Sequence, residues 1–124
     1  MNFEQIENEL ARIKNHIRLL NNSFVSENFP VESLIIEMDW NKNDINAVHA
    51  IFERYDAMIR DNQAFNRLEF EAAFQKELNI GYQTLKQIVI AFYRNNQWQD
   101  VCLSYVKSNG TTIPSEFKTI MKTL

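Results

Sequence analysis

Glycine is scarce in this chain: Gly81 and Gly110 are the two glycines among 124 residues. Glycine is the residue that adopts a positive φ without steric strain. A phosphate-binding P-loop, a dinucleotide-binding GxGxxG turn and a GxSxG nucleophile elbow each need two or three closely spaced glycines. The composition therefore excludes these well-marked enzyme classes. A many-stranded β fold, which is rich in Gly and Pro turns, is also disfavoured because the chain has two prolines.

Cysteine and long hydrophobic runs are scarce as well. Cys102 is the single cysteine, so no internal disulfide forms and a disulfide-stabilised secreted scaffold is excluded. The longest apolar run, residues 88–93, is far shorter than the ~20 residues of a membrane-spanning helix. The first ten residues lack the apolar run of a signal peptide. We therefore expect a cytoplasmic protein that does not interact with membranes.

Basic residues are not in excess, since 13 Lys and Arg face 16 Asp and Glu for a net charge of −3. Proteins that bind nucleic acid usually carry a basic excess or a basic stripe, because phosphate neutralisation supplies much of their affinity. The densest basic stretch spans residues 12–18, and on a helix its charges divide between two flanks of an apolar face. We expect no nucleic-acid partner, unless folding gathers this stretch with Arg54 or Arg60.

Helical periodicity is the strongest positive signal, and it is clearest near the N-terminus. Large apolar residues recur there at alternating spacings of three and four, the heptad pattern of a helix that packs along one side. This set, called the apolar seam below, comprises Phe3, Ile6, Leu10, Ile13, Ile17, Leu20 and Phe24. Acidic residues precede basic ones along the segment, which suits the helix macrodipole. The pattern predicts an amphipathic helix over about residues 2–26.

Further helical segments follow along the chain, marked by apolar spacing, by Pro30 or by Asn caps. They cover about residues 30–38, 41–59, 66–78, 85–95, 98–106 and 117–124. Gly81 is expected to follow the C-terminus of the fourth helix, and Asn109-Gly110 to form a turn. The predicted fold is all-α: a single multihelical domain over residues 1–124, with six to seven amphipathic helices and a long heptad-patterned N-terminal helix.

Residues capable of catalysis are present but form no recognised motif. His49 and Glu53 lie one helical turn apart, yet metal sites usually need three or four ligands, and neither HExxH nor ExxH occurs. We interpret this pair as a surface hydrogen bond or ion pair. Cys102 lies between aromatic residues at helical spacing, which is typical of a small buried side chain rather than a nucleophile. We therefore predict no catalytic, cofactor-binding or metal-binding residue and no enzymatic activity.

Two alternatives explain the apolar seam: it packs inside the domain, or it packs against a second copy of the same helix. In a parallel pair Glu9 would face Lys14 of the other copy, and in an antiparallel pair Glu7 could face Lys14 instead. The mixture of Phe, Leu and Ile does not choose between dimer and trimer. We predict that the protein acts by self-association through the seam, or by association with an unidentified protein partner, with orientation and oligomer number open.

An alternative function comes from a different class. A small-molecule-binding or enzymatic helical domain would use a pocket between helices. The observation that distinguishes it is an apolar pocket in which His49, Glu53, Cys102 or Tyr93 converge.

Several local segments together suggest a known family. Residues 13–20 have the pattern Ile-x-x-x-Ile-x-Leu-Leu, and an aromatic-Pro step at Phe29-Pro30 leads to Leu34-Ile35-Ile36. The most specific segment is Ala91-Phe92-Tyr93-Arg94-Asn95-Asn96-Gln97-Trp98-Gln99-Asp100-Val101. In these features the chain resembles the YhaI-like proteins, small helical proteins of Bacillus and related Gram-positive bacteria.

The YhaI-like resemblance covers about residues 6–107 and contains no catalytic motif. It implies a compact, oligomeric multihelical domain without an assigned activity, and it offers no functional residue to transfer. On this basis residues 1–107 form the YhaI-like core, and residues 108–124 are a C-terminal extension with a short helix.

Overall fold

The computed structural model describes residues 2–20, 28–110 and 112–121 of the chain. The helices are α1 (Phe3–Leu20), α2 (Pro30–Met38), α3 (Lys42–Arg60), α4 (Arg67–Leu78), α5 (Tyr82–Arg94), α6 (Gln99–Lys107) and α7 (Lys118–Met121). A short 3-10 turn, Ser115–Phe117, precedes α7. Within these described ranges there is no β-strand, so the prediction of an all-α fold is confirmed.

Backbone contacts group the chain into two compact units, Met1–Asp39 and Trp40–Leu124. In the first unit, a reciprocal cap begins α1: Asn2 Oδ1 accepts from the Gln5 backbone N–H at 2.8 Å, and Gln5 Oε1 accepts from that of Asn2 at 3.0 Å. Pro30 occupies the first turn of α2, where its missing N–H costs no hydrogen bond. The two helices pack against each other, and Lys14 Nζ lies 3.8 Å from Asp39 Oδ2.

In the second unit, the predicted Asn caps begin two helices. Asn41 Oδ1 accepts from the Asp44 backbone N–H at 2.9 Å and Asp44 Oδ2 accepts from that of Asn41 at 3.0 Å, a complete capping box at the start of α3. Asn66 Oδ1 accepts from the Glu69 backbone N–H at 3.1 Å at the start of α4. Both helix starts therefore lie where the sequence predicted them.

An aromatic cluster forms the core of the second unit, where α3 packs against α4 and α6. Phe52 of α3 is fully buried at its centre. The Phe52 ring centroid lies 4.9 Å from that of Phe92, 5.8 Å from those of Phe70 and Phe74, and 6.2 Å from that of Trp98. These separations are typical of favourable ring–ring packing, and they tie α3 to α4, to α5 and to the turn before α6.

The C-terminal segment contributes to the same core. Phe117 and Ile120 are fully buried, and the Phe117 ring packs edge-on against Tyr105 at 5.9 Å. The side chain of Glu116 pairs with Lys86, a lysine that is itself buried in α5. Residues that the sequence marked as an extension therefore supply core side chains to the second unit.

The two glycines occupy different kinds of position. Gly110 has a φ of 66° in the turn that follows α6, a conformation in which glycine is unstrained. Gly81 lies after the end of α4, as expected, and with a φ of −85° it is the N-cap of α5. Asn79, with a φ of 54°, takes the left-handed position and ends α4, because asparagine tolerates this conformation better than most residues.

Candidate functional site

The apolar seam lies exposed along α1. Its six described members are between 42 and 75% exposed, and no residue of α1 is buried. Its seventh predicted member, Phe24, lies outside the described residues. An amphipathic helix of a globular protein normally turns such a row toward a core. The exposed row is therefore the strongest candidate for a binding surface in the described part of the chain.

The shape of α1 makes the seam a continuous stripe. From Phe3 to Leu20 it extends over about 26 Å at 1.5 Å per residue. Leu19, which the heptad pattern did not include, is 62% exposed and lies directly before Leu20. The repeated Leu19-Leu20 is the sequence signal that could have identified this wider end of the stripe.

Charged side chains flank the seam in an ordered way. In heptad terms Glu7 and Lys14 lie on one flank, and Glu9 and His16 lie on the other. Glu9 already contacts Arg12 within the helix, with both carboxylate oxygens 2.8 Å from Arg12 Nη2. These groups are largely exposed, so this ion pair contributes little stability to the isolated helix.

His49 contacts Trp98 and Phe92, whereas the sequence predicted a surface pair with Glu53. Its Nδ1 accepts a hydrogen bond from Trp98 Nε1 at 3.1 Å, and its ring packs edge-on against Phe92 at 5.5 Å. As the acceptor, Nδ1 carries no proton in this arrangement. Trp98 has a φ of 52°, a strained conformation for a bulky residue, and it stacks on Phe52. The His49–Trp98 contact therefore fastens the turn before α6 to α3.

No group of three or more His, Cys, Asp or Glu side chains that could hold a metal ion occurs where the structure describes the chain.

Cys102 is fully buried in α6, where the sequence placed it. Burial away from water raises the pKa of its thiol to about 12. The thiolate is the reactive form of cysteine, so the position suits packing rather than nucleophilic attack.

We expect Cys102 to resist thiol reagents in the folded protein. At about pH 8 a thiol with such a raised pKa is thiolate to roughly one part in ten thousand, and the fold also blocks access. DTNB absorbance should show almost no reaction in buffer and one equivalent after unfolding in urea. Free glutathione at the same concentration is the control, and rapid reaction of the folded chain would contradict the buried assignment.

A pocket of about 520 Å³ lies beside α5 in the second unit. Its lining residues are Ile90, Tyr93, Arg94, Asn96, Gln99, Glu116 and Ile120. Of the four residues named for the alternative function, Tyr93 lines this pocket. His49 bonds to Trp98, Cys102 is enclosed in the core, and Glu53 is exposed on α3 outside the pocket lining. The convergence that would favour a catalytic or ligand-binding pocket is therefore not formed here.

Lys86 is the buried charge that the sequence did not reveal. It lies within the apolar face of α5, pairs with Glu116, and places its Nζ 4.8 Å from the Tyr82 ring centroid. This hydrogen bond from Lys86 lowers the pKa of Glu116 below its usual range. A lysine in an apolar face was the available signal, but its partner is 30 residues distant in sequence. The pair anchors the C-terminal segment on α5.

Arg54 and Arg60, the two arginines considered as companions of the basic stretch at residues 12–18, each have an acidic partner. Arg54 Nη2 lies 3.0 Å from Glu77 Oε2, and Arg60 Nε lies 3.2 Å from Asp56 Oδ2. The charge of each arginine is therefore offset by a neighbouring carboxylate, which does not favour a basic surface for nucleic acid.

Among the described helices, none combines the length and apolar character that a membrane crossing requires. No family model, curated protein or solved structure matches the sequence, and the YhaI-like resemblance stays a prediction that rests on the segments quoted for it.

Proposed function

We propose that this protein works by self-association through the apolar seam of α1, in the cytosol, rather than by catalysis. The observation that carries the proposal is the exposure of six large apolar side chains at heptad spacing on a helix without buried residues. Exposed apolar rows of this kind mark association surfaces in water-soluble proteins, because burying them removes apolar area from water.

A second copy of the chain fits the seam for two reasons. Heptad-spaced apolar rows interdigitate with rows of the same spacing, which an identical helix supplies. The charges of α1 are also balanced, with Glu4, Glu7 and Glu9 matched by Arg12, Lys14 and Arg18. A copy of this helix therefore offers the complementary charge as well as the complementary spacing.

The cytosolic setting of the proposal rests on Cys102. A chain with one buried free thiol forms no internal disulfide, and disulfide-free proteins are typical of the reducing cytosol.

Sedimentation velocity tests the proposal directly. At micromolar concentration we expect a species of twice the 14.7 kDa chain mass. Substitution Ile13→Lys places a charge in the middle of the seam, at a side chain that is half exposed in the single chain. Because both copies carry the change, the dissociation constant of the dimer should rise roughly a hundredfold.

Asn15→Lys is the matched control, since it adds the same charge to the same exposed helix on the side away from the seam. It should leave the dimer mass unchanged, and circular dichroism should show equal helicity for both variants. A native chain that sediments as a monomer, or an Ile13→Lys chain that still dimerises as tightly as Asn15→Lys, would contradict self-association through the seam.

A further inference from the structure

We infer that the two α1 helices pair in antiparallel orientation, in one register set by their charges. This inference rests on the proposed self-association and adds the geometry of the interface. In this register Phe3 lies beside Leu20 of the second copy, Ile6 beside Ile17, and Leu10 beside Ile13. The described length of α1, Phe3–Leu20, then overlaps completely.

Charge segregation along α1 favours this orientation. Residues 2–10 contain Glu4, Glu7 and Glu9 without Lys or Arg, and residues 11–20 contain Arg12, Lys14 and Arg18 without Asp or Glu. A parallel pair would place each half beside its own copy, so that like charges and like helix-dipole ends meet. An antiparallel pair places the acidic half of one helix beside the basic half of the other.

The flanks of the seam agree with the same register. Heptad positions on the same flank face each other across an antiparallel pair, which brings Glu7 to Lys14 on one side and Glu9 to His16 on the other. Two-fold symmetry repeats each contact. A parallel pair forms the Glu9–Lys14 contact instead and leaves Glu7 beside Asn2 of the other copy. The antiparallel register therefore gives Glu7 a lysine neighbour and gives Glu9 an imidazole whose N–H can donate a hydrogen bond to it.

Contacts within the chain leave these groups able to reach a second copy. The Lys14 side chain is 61% exposed and its 3.8 Å approach to Asp39 is long for an ion pair. Glu9 is also half exposed beside Arg12, and a carboxylate accepts more than one donor.

Two charge-swap variants of identical composition distinguish the orientations. The double variant Glu7→Lys, Lys14→Glu restores opposite charges across an antiparallel pair, whereas Glu9→Lys, Lys14→Glu restores them across a parallel pair. Both lose the Lys14–Asp39 approach, and both leave the net charge unchanged, so they serve as controls for each other. Glu9→Lys also removes the exposed Glu9–Arg12 ion pair, so circular dichroism must show equal helicity for the two chains. We expect the Lys14→Glu single variant to weaken dimerisation about tenfold, because two attractive contacts become repulsive.

Sedimentation equilibrium should show recovery of native affinity in the Glu7→Lys, Lys14→Glu chain and none in the Glu9→Lys, Lys14→Glu chain. Recovery in the second chain alone, or equal behaviour of the two, would overturn the antiparallel register while leaving self-association intact. A native monomer would overturn both proposals, and a native trimer would overturn the antiparallel pair, because three helices cannot all be mutually antiparallel.

Cysteine trapping provides a second readout that does not depend on affinity. In a Cys102→Ala background, mixed Glu9→Cys and His16→Cys chains should form a heterodisulfide in excess of its statistical share in a glutathione buffer. Mixed Glu9→Cys and Lys14→Cys chains, neighbours in a parallel pair, should not exceed that share. The reverse pattern in mass spectrometry of the trapped dimers would overturn the inference.

Discussion

Replacement of Phe52 by Ala is expected to lower the free energy of unfolding by about 3–5 kcal/mol, the range for removing a fully buried aromatic ring. Phe52 has no exposed surface, and its ring contacts Phe70, Phe74, Phe92 and Trp98. Its removal therefore leaves a cavity between three helices and the turn before α6. Urea unfolding followed by tryptophan emission measures the loss.

Two variants calibrate the Phe52 result. Phe52→Leu retains most of the apolar volume, so its loss should be clearly smaller than that of Phe52→Ala. Leu68 is 68% exposed, so Leu68→Ala should change stability by no more than about 0.5 kcal/mol. A Phe52→Ala loss as small as that of Leu68→Ala would show that the aromatic cluster is not the core of the second unit.

Phe117→Ala should also cost about 3–5 kcal/mol, although the residue belongs to a segment that the sequence marked as an extension. Phe117 is fully buried and packs against Tyr105, and its neighbour Glu116 is the partner of the buried Lys86. Loss of the ring removes apolar packing and loosens the segment that holds this ion pair. Urea unfolding at neutral pH is again the measurement.

Lys118→Ala is the control for Phe117→Ala, because it shortens an exposed side chain in the next position of the same segment. We expect it to change the free energy of unfolding by less than about 0.5 kcal/mol. Equal, small effects of the two substitutions would mean that the Phe117 ring contributes nothing to the core.

Local signals explain how much of the fold the sequence predicted. The cap bonds at Asn41 and Asn66 join residues three positions apart, and the apolar residues of α1 recur every three or four positions. Because these distances along the chain are short, spacing in the sequence is enough to locate both features. The end of α4 shows the limit of this reasoning. Asn79 and Gly81 both favour a helix end, and the fold uses Asn79 for the left-handed position.

Contacts between distant segments were beyond local reasoning. The bond from Trp98 to His49 spans 49 positions, and the bond from the Tyr105 hydroxyl to Glu71 spans 34. Such pairs form because helix packing brings them together, and one sequence contains no periodic signal for them. For the same reason, heptad spacing located the seam in the sequence, whereas the pocket beside Tyr93 became visible only once the helices were packed.

The division of the chain at Asp39 has a spectroscopic consequence. Trp40 and Trp98, and all four tyrosines, belong to the unit Trp40–Leu124, whereas α1 and α2 contain neither residue type. Tryptophan emission therefore records the unfolding of the second unit alone, while far-ultraviolet circular dichroism records the helices of both. A difference between the midpoints of the two unfolding curves would therefore show that α1 and α2 unfold separately from the second unit.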